Sequence, residues 1–176
     1  MIKFEDTGER IEGNPRSLIE LAFVAGMREC RHCRAHSDVS WSSWRVQDGL
    51  YRSDGECGGC GKERAYLFRS ELDLADIEPP LYELGGPEPS TVMNATDLVR
   101  EIERIGPLVV APTQVAEAER STAWTRLERA LTAVNELAKF LDADTIPTLS
   151  DDLRARYDRQ SIERERVRLV GLEDMK

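Results

Sequence analysis

The sequence predicts an α+β protein in which a small three-stranded β module is preceded by a buried helix and packed with a C-terminal helical bundle. Three observations support this prediction. Residues 15–28 form an almost wholly apolar helical segment, and residues 39–70 consist of short segments rich in β-branched and aromatic side chains. Residues 91–176 repeat apolar side chains at steps of three and four, as amphipathic helices do.

The first helix is predicted to begin after Asn14, which is a good N-cap residue. Pro15 fits the first helical position, where its missing N–H costs nothing. The body of the helix reads LIELAFVAGM and is apolar on nearly every side. Such a helix is expected to be buried within the chain or shared between two chains, so both a monomer and a homodimer remain open.

Three strands with tight turns are predicted between residues 39 and 70. Asp48-Gly49 is a strong signal for a hairpin turn, and a glycine-rich turn at residues 57–61 separates the second strand from the third. Residues 76–90 then contain Pro79, Pro80, Pro87 and Pro89, which exclude a continuous helix and indicate a linker or an ordered crossing strap. The expected regions are therefore residues 1–29, 30–75, 76–90 and 91–176.

Three helical stretches are predicted after the proline-rich segment. Asn94, with Asp97 three residues later, forms a capping box at the start of the first stretch. The second stretch carries a long apolar stripe made of Trp124, Leu127, Leu131, Val134, Ala138 and Leu141. Ser150 caps the last stretch, and a break in it is expected near Ser161.

Two pairs of cysteines share the same internal spacing, Cys30 with Cys33 and Cys57 with Cys60. Two residues between cysteines allow a tight turn to direct both sulfurs at one ion, and a second such turn completes a tetrahedron. Thiols stay reduced in the cytosol, so paired spacing there favours a metal over disulfides. The pattern predicts a structural Zn²⁺ with four thiolate ligands, whose negative charge is offset by flanking basic residues: Arg28, Arg31, Arg34, Lys62 and Arg64.

Residues 28–70 resemble a zinc ribbon, also called a rubredoxin-like metal fold, with CRHC and CGGCGK as its two knuckles. The resemblance implies a structural metal and no particular function, because ribbons occur in many unrelated proteins. Iron is also compatible with four sulfurs. A dithiol redox role is disfavoured because the first pair follows a helix. His32 and His36 are interpreted as exposed residues near the first pair.

The charge of the chain is −9 and is unevenly distributed. Residues 71–116 contain nine acidic residues against two arginines. Such a surface repels phosphates and anionic membranes and favours a basic protein partner. The candidate partner-binding residues are Glu83, Glu88, Glu101 and Glu103. The N-terminal residues lack the apolar run of a secretory signal, and no stretch is long and apolar enough to span a membrane, so a cytoplasmic location is expected.

These observations favour a non-enzymatic, zinc-binding interaction protein with an acidic surface. An immunity protein or antitoxin that neutralises a basic partner is one form of this hypothesis. The alternative is a nucleic-acid-linked regulator that uses the ribbon as its contact module, with strand aromatics such as Trp41, Trp44, Tyr51, Tyr66 and Phe68 stacking on bases. Packing within the module is the preferred interpretation of these aromatics. The sequence contains no phosphate-binding loop or Ser-His-Asp set outside the cysteine region, so an enzyme is not favoured, although a site without a known motif stays open.

Overall fold

The computed structural model describes residues 8–36, 39–41, 45–142 and 150–173. The chain divides into two compact units, Met1–Pro79 and Pro80–Lys176. The described residues form a mixed β-sheet and five α-helices, which confirms the predicted α+β class. No helix in the described ranges has both the length and the apolar composition needed to cross a membrane.

The first unit contains the sheet and one α-helix. In chain order its elements are β1 (Glu9–Arg10), α1 (Leu18–Met27), β2 (Val39–Trp41), β3 (Arg45–Gln47), β4 (Leu50–Cys57) and β5 (Glu63–Arg69). The order across the sheet is β1, β5, β4 and β2, and β3 also pairs with β4. β1 is parallel to β5, and the remaining pairs are antiparallel.

The segment predicted as a single strand before Asp48 forms two strands that pair with different halves of β4. Trp41 lies opposite Gly55, and Arg45 lies opposite Arg52. The registers of these two pairings differ by one residue along β4. β1 was not predicted, because two residues give no periodic signal and the parallel partner is distant in sequence.

The turn between β3 and β4 has the backbone expected from its sequence. Asp48 and Gly49 both have positive φ, at 51° and 71°, as a type I′ turn requires. A Cβ on Gly49 would lie 2.7 Å from the carbonyl oxygen of Ser70. Glycine is therefore needed at this position both for its φ and for space.

Helix α1 begins later than predicted. Ser17, and not Asn14, is its N-cap, and the Ser17 side chain accepts a hydrogen bond from the backbone N–H of Glu20 at 3.0 Å. The Glu20 carboxylate in turn accepts from the backbone N–H of Arg16 at 2.6 Å. This reciprocal arrangement satisfies the first turn without Asn14. Half of the residues of α1 are buried, while Ile19 is 52% exposed.

The second unit is helical. Its helices are α2 (Ala95–Ile105), α3 (Glu117–Asp142), α4 (Asp151–Arg156) and α5 (Arg159–Glu173), and α3 contacts both α2 and α5. The predicted capping box of Asn94 and Asp97 is present. The break in the last stretch lies at Tyr157, slightly before the predicted position, because Asp158 caps α5 by accepting from the Ser161 N–H at 2.6 Å.

The apolar stripe of α3 supplies much of the core of the second unit. Leu127, Leu131 and Val134 are buried, whereas Trp124 at the start of the predicted stripe is 37% exposed. Glu136 is fully buried on the same helix. The core of this unit also includes Leu84, Leu98, Ile102 and Leu169.

Residues 82–86 of the proline-rich segment are hydrogen-bonded to α3. The buried N–H of Leu84 donates to Glu136 Oε1 at 2.9 Å, and Asn135 Nδ2 donates to the Tyr82 carbonyl at 3.0 Å. Lys139 Nζ donates to the Gly86 carbonyl at 3.0 Å and lies 2.7 Å from Glu136 Oε1. These residues therefore follow an ordered path along the helix.

Candidate metal centre

The two cysteine pairs lie in turns with the same backbone hydrogen bonds. We call residues 30–35 the first knuckle and residues 57–62 the second knuckle. In the first knuckle the Cys30 N–H donates to the Ala35 carbonyl at 3.0 Å, and the Arg34 N–H donates to the Cys30 carbonyl at 2.7 Å. In the second, the Cys57 N–H donates to Lys62 and the Gly61 N–H donates back to Cys57, at 2.9 and 2.7 Å. The knuckles therefore share one local geometry.

The knuckles bring four sulfurs together. The Sγ atoms of Cys30, Cys33, Cys57 and Cys60 all lie within 4.8 Å of one another. The distances from Cys30 to Cys60 and from Cys33 to Cys57 are both 3.8 Å. Tetrahedral coordination with metal–sulfur bonds of about 2.3 Å requires sulfur–sulfur distances of about 3.8 Å. The geometry fits a four-cysteine metal site, and all four cysteines are free of disulfides.

Backbone N–H groups donate hydrogen bonds to one sulfur in each knuckle, that of Cys30 in the first and that of Cys60 in the second. Hydrogen bonds from the backbone of Cys33 and His32 lower the pKa of the Cys30 thiol and favour its thiolate. The backbone N–H of Lys62 lowers the pKa of Cys60, but desolvation and three neighbouring thiols outweigh it and raise that pKa to about 11. Four crowded thiolates repel one another, and a bound cation removes that repulsion.

Burial divides the four cysteines into two kinds. Cys30 and Cys57, the first cysteine of each knuckle, are buried, while Cys33 and Cys60 are exposed. α1 leads to Cys30 and β4 ends at Cys57, so regular elements hold the buried pair. One side of the sulfur cluster therefore faces the protein interior and the other faces solvent.

Arg64 on β5 connects the sheet to the two residues that precede the first knuckle. Its guanidinium donates to the carbonyls of Arg28 and Glu29, at 3.1 and 3.3 Å, and to the Tyr66 hydroxyl. Arg64 is 6% exposed, and burial raises the pKa of Tyr66 to about 12. From the sequence, Arg64 was predicted only to offset the negative charge of the thiolates. Its position shows that it also satisfies carbonyls at the C-terminal end of α1.

The histidine within the first knuckle and the one that follows it are not part of the sulfur cluster. His32 and His36 are both exposed, and His36 Nε2 lies 3.4 Å from Glu29 Oε1. Among the described Cys, His, Asp and Glu side chains, the cluster that meets metal-binding distances consists of cysteines alone.

The strand aromatics lie mainly inside the first unit. Tyr51, Tyr66 and Phe68 are each at most 3% exposed. The Tyr51 hydroxyl donates to the Leu72 carbonyl and accepts from the Leu74 N–H, both at 2.9 Å. These three residues therefore pack within the module. Trp44 and the side chain of Trp41 lie outside the described part of the chain.

The four candidate acidic residues have different environments. Glu101 is 3% exposed and pairs with Arg104 at 2.7 Å and with Arg129. Glu83 pairs with Lys139 and Glu103 pairs with Arg156, at 3.2 and 2.7 Å, and both carboxylates are partly exposed. Glu88 is exposed. The Glu101 carboxylate is therefore buried in ion pairs within the second unit and does not contribute to an open acidic surface.

A second set of acidic residues is more exposed. Glu71, Asp73, Asp76 and Glu78 follow β5 and are all exposed. Leu72 and Ile77 between them are 64% and 37% exposed. In the sequence these acids belong to the negative segment at residues 71–116, and no local pattern distinguishes them from its other acids. Their exposed apolar neighbours could be recognised only from the structure.

Together, the fold and the sulfur cluster define an α+β protein with a four-cysteine site compatible with a zinc-ribbon-like module. Comparison of the chain with models of protein families, with curated proteins and with solved structures found no match.

Proposed function

We propose that Cys30, Cys33, Cys57 and Cys60 bind one Zn²⁺ that has a structural role. The observation that supports this proposal is the approach of all four sulfurs to within 4.8 Å. Four thiolates fill the tetrahedral shell of zinc and leave no open position for a substrate, as is usual for structural sites. A small β module has little hydrophobic core. Binding of the ion compensates for this by contributing folding free energy on the order of 10 kcal/mol.

Metal analysis of protein purified without chelator tests this proposal. We expect about one zinc per chain, which gives no visible absorption because its d shell is filled. Replacing Cys57 with Ser removes a ligand and is expected to abolish tight binding. The double variant His32→Ala, His36→Ala is the control and should retain the ion. Iron in the purified protein, or loss of zinc in the histidine variant, would contradict the assignment of metal or ligands.

The wider role that we propose is a non-enzymatic interaction protein that binds a basic partner. The exposed acids at residues 71–78 support it, because they surround Leu72 and Ile77 with negative charge. An apolar contact rimmed by acids is suited to a cationic protein that also has an apolar face. Neutralisation of such a protein, as by an immunity protein or antitoxin, is one form of this role. Glu83, Glu88 and Glu103 remain candidates for the same partner.

Charge reversal tests the acidic surface. The double variant Asp76→Lys, Glu78→Lys should recover several-fold less of the partner captured by the wild-type protein from its native cells. The matched control is Glu128→Lys, Glu163→Lys, which makes the same charge change at two exposed helical positions. Equal loss in both double variants would indicate a net-charge effect, and unchanged capture by the first would contradict the proposed surface.

The nucleic-acid-linked alternative receives less support. Tyr51, Tyr66 and Phe68 are buried, so they cannot stack on bases without unfolding the module. A zinc centre with four thiolates also carries a formal charge of about −2, which opposes binding of phosphates. A gel shift with single-stranded DNA at low salt tests this alternative, and a salt-sensitive shift would support it.

A further inference from the structure

We propose that the four-cysteine centre is also a reversible oxidation site, at which a hydroperoxide converts the zinc-binding thiolates into two disulfides between the knuckles. This inference depends on the zinc binding proposed above. The expected disulfides are Cys33–Cys57 and Cys30–Cys60.

The exposed cysteines are the point of attack. Cys33 and Cys60 are exposed, whereas Cys30 and Cys57 are shielded by the protein. Arg31 and Arg34 flank Cys33 and are themselves exposed, and exposed Lys62 follows Cys60 closely in sequence. Thiolates with solvent access and nearby positive charge are the ones that react with peroxides.

Each exposed sulfur already has a buried sulfur of the other knuckle beside it. Cys33 lies 3.8 Å from Cys57, and Cys60 lies 3.8 Å from Cys30. A disulfide needs about 2.05 Å, so each pair must approach by only about 1.8 Å once the metal no longer separates them. The second thiol that resolves an oxidised cysteine is thus in place before oxidation.

The chemistry balances with the hydroperoxide as oxidant. The exposed thiolate attacks the peroxide oxygen, which breaks the O–O bond, takes up one proton and gives a sulfenic acid and an alcohol (water, when the oxidant is hydrogen peroxide). The buried thiolate then attacks the sulfenic sulfur, forms the S–S bond and expels hydroxide, which a second proton converts to water. Each disulfide therefore consumes one peroxide, and two disulfides leave no thiolate to hold Zn²⁺.

The connectivity decides what oxidation does to the protein. Disulfides between the knuckles replace the metal as the link between residues 30–35 and 57–62. Disulfides within each Cys-x-x-Cys pair would leave the two knuckles unconnected. The proposed pairing keeps the four sulfurs close to one another, so reduction regenerates the metal site without reassembly of the module. Zinc release is then a reversible response to peroxide.

Trypsin distinguishes disulfides between the knuckles from disulfides within them, and fragmentation between Cys57 and Cys60 then separates the two possible pairings between the knuckles. Cleavage after Arg28, Arg31, Arg34, Arg52 and Lys62 places Cys30 and Cys33 on separate peptides and keeps Cys57 and Cys60 on one. Disulfides between the knuckles would join all three peptides into one species. Disulfides within the knuckles would instead join residues 29–31 to 32–34 and leave residues 53–62 with an internal bond.

The experiment uses the wild-type protein. Metal content is measured first, and absence of zinc at this stage would contradict the proposed function itself. Hydrogen peroxide is then added with a chromogenic chelator, free thiols are blocked, and the tryptic peptides are analysed by mass spectrometry. We expect one zinc released per about two equivalents of peroxide, the three-peptide species with the stated pairs, and renewed zinc binding after reduction.

Three results would overturn the oxidation site while leaving zinc binding intact. These are retention of the metal under peroxide, disulfides within the knuckles, and irreversible oxidation to sulfinic acid. A parallel sample treated with chelator under reducing conditions is the control. It loses zinc without forming disulfides, so the three-peptide species must be absent from it.

Discussion

Arg34 and Gly61 occupy equivalent positions in the two knuckles. Each lies four residues after the first cysteine of its knuckle and donates its N–H to that cysteine's carbonyl, at 2.7 Å in both cases. Both have positive φ, 60° for Arg34 and 65° for Gly61. The two knuckles therefore share one backbone turn. Glycine adopts its positive φ without strain in the second knuckle, whereas arginine adopts it at a cost in the first.

This equivalence predicts opposite effects of two substitutions. Gly61→Ala should reduce the free energy of unfolding of the zinc-bound protein by about 1 kcal/mol, because alanine disfavours this φ. Arg34→Gly should leave it unchanged or raise it by up to about 1 kcal/mol. Denaturant unfolding measures both. Gly106→Ala is the control, since its φ is −50° and a Cβ there meets no atom within 4 Å. Equal losses at Gly61 and Gly106 would contradict the argument.

Arg64 is predicted to stabilise the first knuckle through its two carbonyl contacts. Arg64→Met keeps much of the apolar volume but leaves the carbonyls of Arg28 and Glu29 without their donor. We expect a loss of about 1–3 kcal/mol in unfolding free energy and faster zinc transfer to a chelator. Arg69→Met, on the same strand but exposed, should cost less than about 0.5 kcal/mol. Unchanged zinc transfer in the Arg64 variant would mean that the contact does not support the metal site.

Glu101 is predicted to make the stability of the second unit pH-dependent. Burial alone would raise the pKa of this carboxyl, but hydrogen bonds and charges from Arg104 and Arg129 outweigh burial and hold it below its usual range. Because the pKa of Glu101 is lowered in the folded protein, the stability that its carboxylate contributes is fully present above the ordinary glutamate pKa. It is lost as the pH falls through the lowered value.

The variant Glu101→Gln should therefore be less stable than wild type near neutral pH. We expect a loss of about 1–3 kcal/mol in unfolding free energy, a moderate value because both arginines retain some solvent contact. Its disadvantage should shrink as the solution is acidified. Thermal or denaturant unfolding across the acidic range measures this convergence. Glu163→Gln, at an exposed pair with Arg166, is the control and should show little difference at any pH. A constant difference between Glu101→Gln and wild type would rule out the ionised carboxylate as the cause.

Glu136 is predicted to hold the segment at residues 82–86 on α3. Glu136→Ala removes the acceptor of the buried Leu84 N–H, and about 2 kcal/mol is expected for a buried donor left without a partner. Hydrogen exchange of the Leu84 amide should accelerate more than exchange within α2. Glu136→Gln keeps an acceptor oxygen and should lie between alanine and wild type. Similar acceleration in α2 would point to global destabilisation instead of local release.

The sequence alone allowed the main features of local order to be predicted. The cap at Asn94 with Asp97, the turn at Asp48-Gly49 and the metal-like spacing of the four cysteines are all present in the structure. The cap, the turn and the spacing within each cysteine pair depend on residues a few positions apart, whose backbone and hydrogen-bonding preferences act locally, whereas the two cysteine pairs meet only through the fold. The start of α1 was misplaced because Asn14 and Ser17 are both good caps, and the contact between Arg16 and Glu20 selected Ser17.

Only the tertiary structure decided which charged residues are buried and paired and which face solvent. Glu101, Glu136 and Arg64 look like ordinary surface residues in the sequence, yet each is buried beside partners brought in by the fold. Arg129, Leu84 and the carbonyl of Arg28 all lie far along the chain from the side chains they contact. A local pattern carries no information about such partners, because burying a charge is favourable only after folding has supplied the group that compensates it.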